Sequence, residues 1–233
     1  MSIKVSLVIP CYNESQNLSK LLELCNQFLL PKNIEVVIVD NGSTDNTPET
    51  LKSLLQKYPS VKTYRVKKNK GYGYGILQGL KIARGDFIGW THADLQTNPQ
   101  DILQVLKIIE KEKKDNLFIK GKRYGRNFSD ILFTVGMSAF NTIFLGTCLS
   151  DINAQPNIFP KKFFESWQNP PYDFSLDLYA YYLAKKSGLD IKRIPVYFGK
   201  RIAGEAHLKN LSSKLRYSFQ SLKYSFSIKN KVS

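Results

Sequence analysis

Residues 34–58 read IEVVIVDNGSTDNTPETLKSLLQKY. IEVVIVD (34–40) is a compact, β-branched apolar run, the pattern of a strand buried on both faces of a sheet. It ends on Asp40, and NGSTD (41–45) supplies a turn that leads into a helix start, with Ser43 and Asp45 suited to capping. TPETLKSLLQKY carries the helix, with Pro48 fitted to its first turn. A buried strand, a polar loop and an amphipathic helix make one half of a βαβ unit.

The same unit recurs on both sides. KVSLVIP (4–10) is a strand, and ESQNLSKLLELCNQFL (14–29) places Leu18, Leu21, Leu22, Cys25, Phe28 and Leu29 at helical spacing, with Ser15 expected at the N-cap. VKTYRV (61–66), DFIGWT (86–91) and NLFIKG (116–121) are further strands, separated by helices over GILQGLKIARG (75–85) and NPQDILQVLKIIEKEKK (98–114). Regular alternation implies right-handed crossovers and an α/β fold: a doubly wound, mostly parallel, Rossmann-like sheet with helices on both faces. Beyond it the pattern loosens to an apolar helix at 131–147, a loop at 150–160, a helix at 174–187 and a strand over IKRIPVYF (191–198).

The 233 residues suit a single domain of ordinary globular composition, 42% hydrophobic and 23% charged. The formal charge of +15 favours polyanionic surroundings: phosphorylated substrates, an anionic membrane face or nucleic acid. No nucleic-acid docking motif is present and the basic residues are spread along the chain, so no nucleic acid is expected as a partner. Three cysteines at wide spacing argue against a disulfide framework or a zinc cage and fit a reducing cytoplasm. MSIKVSLVIPCYNE enters a strand at once, and no signal peptide is evident. ILFTVGMSAFNTIFLGTCL (131–149) is uncharged over nineteen residues and long enough to cross a bilayer, but its Thr, Ser, Asn and small residues favour a buried or membrane-facing helix of the globule.

In doubly wound sheets ligands sit beyond the carboxyl ends of the strands. Three polar clusters fall there: CYNE (11–14), DNGSTD (40–45) and HADLQ (92–96). Asp40, at a buried strand's end, can accept hydrogen bonds from a base or ribose, and Glu14 can do so from the first loop. Gly71, Gly73, Gly75 and Gly79 match the dinucleotide fingerprint in neither position nor spacing, so they let the loop pack tightly under a ligand rather than signal NAD. GWTHADLQTNP (89–99) sets His92 two positions before Asp94. Imidazole is a softer ligand than carboxylate, so His92 as a ligand would favour Mn²⁺ over Mg²⁺; alternatively His92 bonds a neighbour and leaves Asp94 to hold the ion.

VIPCYNE, VIVDNGSTD, NKGYGYGILQGLKIARGDFIGWTHADLQTNP, GKRY and VYFGKRIAGE together resemble the family 2 glycosyltransferases, particularly the dolichol-phosphate (polyprenyl-phosphate) mannosyltransferase-like branch. The likeness runs from about residue 3 to residue 209, in the family's order and spacing. It implies a GT-A fold over 1–209, a nucleotide-diphosphate sugar donor and inversion at the anomeric carbon. By this resemblance Asp40 contacts the base; Pro10, Tyr12 and Glu14 line the nucleoside; Gly71 belongs to the nucleotide-sugar site. Asp94 is the second acid of a metal motif supported by Gln96, with Mn²⁺ or Mg²⁺ as cofactor. Arg123 stands near the acceptor phosphate and Arg201 reaches the diphosphate. Three departures stand out: His92 at the first acidic position, His207 in place of a lysine, and DINAQPNIF (151–159) in a loop that shapes the acceptor end.

The acceptor is a lipid phosphate or a glycan. A hydroxyl acceptor needs a general base, for which Asp173 and Asp177, four apart, offer themselves on one helical face; either equally suits capping the helix or holding a neighbouring basic residue. A lipid phosphate needs none and is positioned by Arg123. The tail, 210–233, carries Leu211, Leu215, Phe219, Leu222 and Phe226 at helical spacing among Lys214, Lys223, Lys229 and Lys231, which suits an anionic membrane surface; the alternatives are docking on the globule or a contact with a second subunit. The expected location is cytoplasmic, peripheral on the inner face of the membrane. The competing reading is a non-catalytic nucleotide-sugar binder or scaffold whose metal motif has been altered at His92.

Overall fold

The computed structural model describes residues 4–201, 203 and 220–229. β1 (Val5–Cys11), β2 (Glu35–Asp40), β3 (Lys62–Arg65) and β4 (Phe87–Trp90) alternate with α1 (Ser15–Phe28), α2 (Thr47–Lys57) and α3 (Tyr72–Ile82). After α4 (Ile102–Glu112) come β5 (Leu117–Tyr124), α5 (Phe128–Leu145), β6 (Asn157–Pro160), α6 (Lys161–Glu165), α7 (Ser175–Lys186) and β7 (Asp190–Tyr197). A further helical stretch, α8, covers 220–229. The seven strands form one sheet in the order β3-β2-β1-β4-β6-β5-β7. β1 pairs in parallel with β2 and β4, β2 with β3, and β5 with β7.

Two apolar layers sandwich the sheet, as alternating side chains require. Leu7 and Ile9 of β1 face the layer of Leu18, Leu21 and Cys25 from α1 and Val105 and Ile109 from α4. Val8 faces the opposite layer with Ile76 and Leu80 of α3 and Leu176 and Ala180 of α7. Close approach of α3 explains Gly79, where a Cβ would stand 2.3 Å from a Val8 methyl.

Four local expectations are corrected. Ser15 is the first helical residue rather than the cap: Glu14 holds the cap position without a side-chain cap bond, and Ser15 Oγ donates instead to Asp45 Oδ2 at 2.8 Å. The helix expected from Gly75 begins at Tyr72. The loop expected over 150–160 ends in β6, an antiparallel strand between β4 and β5. Its four residues are too short to show a period, and Pro160 at the end reads as a breaker. Finally, α7 starts at Ser175, so Asp173 lies ahead of it and shares no helical face with Asp177; Asp173 Oδ1 accepts the Ser175 N–H at 2.9 Å.

The described part of the tail docks on the globule. Ile228 is buried in the α3–α7 layer, Ser225 Oγ donates to Asn141 Oδ1 at 2.5 Å, and the rings of Phe226 and Phe144 lie 4.3 Å apart. Leu211, Lys214, Leu215, Phe219 and Lys231, like His207, lie outside the described residues.

Candidate active site

The carboxyl ends of β1 and β4 open into a cavity of about 250 Å³. Pro10, Tyr12 and Glu14 reach it from the first strand, His92, Asp94 and Gln96 from the loop after β4, and Arg123, Asp177 and Arg201 from the second half of the chain. Asp40, Gly71 and Asp173 are not among its lining residues.

The first two loops are stitched together before they meet a ligand. Asn13 sits in the left-handed region (φ 57°), its N–H donates to Ser43 Oγ at 3.1 Å, and its Oδ1 accepts from Thr44 N at 2.9 Å. Glu14 N donates to Thr47 Oγ1 at 2.9 Å. Asp45 Oδ1 accepts the Thr47 N–H at 2.9 Å, so this acid serves the start of α2, as a turn residue should.

Asp40 sits at the same sheet edge, paired in register with Cys11. It is 1% exposed, and Oδ1 accepts the Ser43 N–H at 2.9 Å. Oδ2 is buried without a hydrogen bond, 3.3 Å from Arg65 Nε. A buried carboxylate oxygen with acceptor capacity to spare is uncommon away from ligand sites. Gly71 has a packing explanation: at φ +117° its Cβ would lie 2.3 Å from the Tyr172 carbonyl oxygen.

Arg201 is the electrostatic centre of the cavity. Its guanidinium donates to Glu14 Oε1 and lies 3.6 Å from Asp94 Oδ2, so one cation spans acids from the ends of β1 and β4. Asp94 Oδ1 is tied to the Gln96 N–H at 3.1 Å. Gln96 in turn clasps the 198–201 segment: its Nε2 donates to Gly199 O at 3.1 Å and its carbonyl accepts the Gly199 N–H at 2.8 Å. His92 stacks on Tyr72 at 5.7 Å between ring centroids, and Tyr72 stacks on Phe174 at 4.5 Å.

Among the described residues no three His, Cys, Asp or Glu side chains gather as a metal cluster. Asp94 and His92, with Gln96 beside them, are too few to saturate a hard cation. They would fit an ion held jointly with a diphosphate. The guanidinium against Asp94 marks the same spot as one that calls for positive charge.

Behind the cavity lies a network that strand-end reasoning missed. Asp177, 1% exposed, accepts Gln155 Nε2 at 2.7 Å and Asn157 Nδ2 at 3.0 Å, both on Oδ1. Lys120, fully buried, donates to Asn157 Oδ1 at 2.7 Å and to Ala154 O at 2.8 Å. Burial pushes its ammonium down to about 7 against the pull of Asp177, and burial likewise raises the Asp177 carboxyl. The one visible signal in the sequence is a lysine inside the apolar run NLFIKG. Arg123 does line the cavity, but Asp151 chelates it: Asp151 Oδ1 accepts from Arg123 Nε at 2.9 Å and Oδ2 from its N–H at 2.8 Å. Burial works to raise the Asp151 carboxyl, yet the Arg123 hydrogen bonds and charge outweigh it and hold the group below the usual range.

This architecture recurs in known proteins. The chain is 31% identical over 233 residues to the dolichol-phosphate mannosyltransferase of Pyrococcus furiosus, covering 95% of this chain and 64% of that protein. It is 26% identical over 223 residues to the dolichyl-phosphate β-glucosyltransferase of Dictyostelium discoideum, covering 84% and 66%. The chain thus spans less than two thirds of the length of these relatives. Among solved structures, a mannosyltransferase from Pyrobaculum calidifontis in complex with GDP-Man and Mn²⁺ superposes with a TM-score of 0.65 at 18% identity, covering 94% of this chain and 65% of that one. Glucosyl-3-phosphoglycerate synthase from Mycobacterium tuberculosis in complex with UDP gives 0.70 at 17% identity, covering 97% and 80%. The fold is therefore the GT-A fold. The family model for Glycosyl transferase family 2 matches residues 6–144, from the first buried strand through the H-x-D loop to α5, and the chain belongs to that family.

Proposed function

We propose that the chain transfers a sugar, with inversion, from a nucleotide-diphosphate donor to a polyprenyl phosphate at the cytoplasmic face of a membrane, using residues 1–209 as the catalytic domain. The observation that carries the reading is Arg201 held between Glu14 and Asp94 in a cavity that Arg123 also lines. One cationic group addresses the diphosphate and a second addresses an anionic acceptor.

Asp40 supplies acceptor oxygens for the base, and Pro10 and Tyr12 line the nucleoside. A divalent cation, Mn²⁺ or Mg²⁺, would be held by Asp94 with His92 or Gln96 and would neutralise charge on the departing diphosphate. Arg201, held by Glu14 and Asp94 in the absence of donor, would turn to the diphosphate oxygens and stabilise the leaving group. Arg123 exchanges Asp151 for the acceptor phosphate, an interaction of the same fork geometry. A phosphate is already a nucleophile at neutral pH, so no base is required. That agrees with Asp173 accepting the Ser175 N–H at the start of α7 and with Asp177 spending one oxygen on two amide donors. The retained acids and arginines give the non-catalytic reading no support.

The test is incubation of the full chain with GDP-, UDP- and dTDP-sugars, Mn²⁺ or Mg²⁺, and a short polyprenyl phosphate. Metal-dependent transfer with release of the nucleoside diphosphate is expected. Tight donor binding with neither transfer nor hydrolysis under any acceptor would return the chain to the scaffold reading.

A further inference from the structure

Lys120 is buried where a central strand calls for an apolar residue. It follows the buried Leu117, Phe118 and Ile119 on β5 and has no exposed surface. No step of the transfer uses it, and a buried ammonium is costly to keep. Its Nζ donates to Ala154 O at 2.8 Å and to Asn157 Oδ1 at 2.7 Å, and stands 5.4 Å over the Tyr181 ring of α7. The charged groups around it are Asp177 on α7, Arg193 on β7, Asp151 in the loop before β6, and Arg123 on β5 itself.

An ammonium has three hydrogens to donate and no lone pair to accept. Asn157 therefore turns Oδ1 toward Lys120, which leaves its Nδ2 to donate to Gln155 Oε1 at 2.6 Å and to Asp177 Oδ1 at 3.0 Å. With Oε1 engaged, Gln155 presents Nε2, which donates to Asp177 Oδ1 at 2.7 Å and to the Tyr72 hydroxyl at 3.1 Å. The donors thus run in one direction, from Lys120 toward the cavity. Gln155 and Asn157 are both buried, so bulk water does not compete for these bonds. The relay ends on Asp177 and on Tyr72, whose ring stacks on His92, and all three line the cavity.

We propose that Lys120 is a positioning residue for the donor sugar: by fixing the direction of the Asn157–Gln155 relay it holds Asp177 and the Tyr72–His92 pair in the arrangement that receives the sugar hydroxyls. Asp177 accepts from those hydroxyls, and Lys120 keeps it fit to do so. Burial raises the Asp177 carboxyl, and the Lys120 charge is the largest influence opposing that rise. The direction is strict only while Lys120 is charged. Above about 7 the buried group is an amine. Its two hydrogens still serve Ala154 O and Asn157 Oδ1, but its lone pair now also suits a turned Asn157 that offers Nδ2. Lys120 touches no substrate and acts only through Asn157 and Gln155.

The inference rests on the nucleotide-sugar reading for its ligand and needs no acceptor or turnover. Calorimetry on the full chain measures the affinity for a nucleotide sugar relative to its nucleoside diphosphate, with GDP-mannose against GDP and UDP-glucose against UDP as probes. That ratio isolates the sugar. At pH 6, Lys120→Met and Gln155→Met should each lower the ratio about tenfold, with nucleoside diphosphate affinity unchanged within about twofold. The double variant should lose no more than either single one, because both act on one chain of bonds. The wild type's excess over Gln155→Met should shrink as pH rises from 6 to 8.5, which tests Lys120 without altering it; the nucleotide's own titration cancels in that comparison. Should Lys120→Met fail to fold, Gln155→Met and this pH series decide. A Lys120→Met protein that melts lower but keeps the wild-type ratio assigns the lysine to stability alone and overturns the proposal. Additive losses, or an excess that does not change with pH, overturn it too. A wild type that binds no nucleoside diphosphate removes the nucleotide-sugar reading and the inference together, whereas bound diphosphate with an unmoved ratio removes the inference alone.

Discussion

Replacing Lys120 by methionine should cost stability by an amount that grows with pH. The ammonium sits fully buried on β5 and is charged in the fold only below about 7, whereas in the unfolded chain it keeps its proton to about 10.5, the ordinary value for lysine. Below pH 7 both states carry the charge. Between 7 and 10.5 the unfolded chain holds a proton that the folded chain has released, so wild-type stability rises with pH through this window. From pH 6 to pH 9 the gain from this one group is about 2.5 kcal/mol. Methionine cannot titrate, so the variant lacks the gain. It also leaves Ala154 O and Asn157 Oδ1 without their donor, at about 1–3 kcal/mol each, partly offset by its apolar packing. The expected loss is therefore about 2 kcal/mol at pH 6 and between 4 and 5 kcal/mol, roughly, at pH 9. Urea denaturation followed by the fluorescence of Trp90 and Trp167 measures it at both pH values, with the exposed Lys122→Met as control. A loss equal at pH 6 and pH 9 within about 0.5 kcal/mol would refute a titrating Lys120, and a loss under about 1 kcal/mol at both would refute its hydrogen bonds as structural.

Arg201→Ala should weaken nucleoside diphosphate binding by about 10- to 100-fold, since a charge-assisted contact is lost. The same variant should bind Mn²⁺ alone more tightly than the wild type, because Glu14 and Asp94 are freed of their cation; calorimetry reads both, and unchanged metal affinity would dismiss the bridging role. His92→Asp should improve support by Mg²⁺ relative to Mn²⁺ in donor hydrolysis, as a hard carboxylate replaces imidazole. An unchanged preference removes His92 from the metal shell and leaves it as the ring that stacks on Tyr72. Gly89→Ala would set a Cβ 1.8 Å from the Asn157 carbonyl oxygen, driving β4 from β6. About 3 kcal/mol is expected, a fall of roughly 6–12 °C in melting temperature, and an unchanged melt would contradict the β4–β6 pairing.

Much of the site was legible because its members stand next to strands in the sequence. Pro10 closes a buried run, Tyr12, Glu14, His92, Asp94 and Gln96 follow one by a few residues, and parallel pairing brings such ends to one rim. The loop 151–159 was marked only as a departure from the family pattern, and the pairings of Asp151, Gln155 and Asn157 within it were not legible. Each is defined by a partner far along the chain: Tyr72 to Gln155 across 83 residues, Lys120 to Asn157 across 37, Arg123 to Asp151 across 28.

By itself the sequence determined the alternation of strand and helix, the two-faced burial of β1 and β2, and the rim at which the polar loops end. Those follow from periods of two and of three to four residues, which are local properties of a chain. Tertiary structure decided that residues 157–160 enter the sheet against its direction, because hydrogen-bonding edges on β4 and β5 were waiting to be filled. It also decided which side of each helix is buried against the sheet. On α5 the polar Ser138 and Asn141 found partners inside, while Phe128, Leu132, Val135 and Ile143 were left exposed, an orientation that no count of hydrophobic residues along the helix could assign.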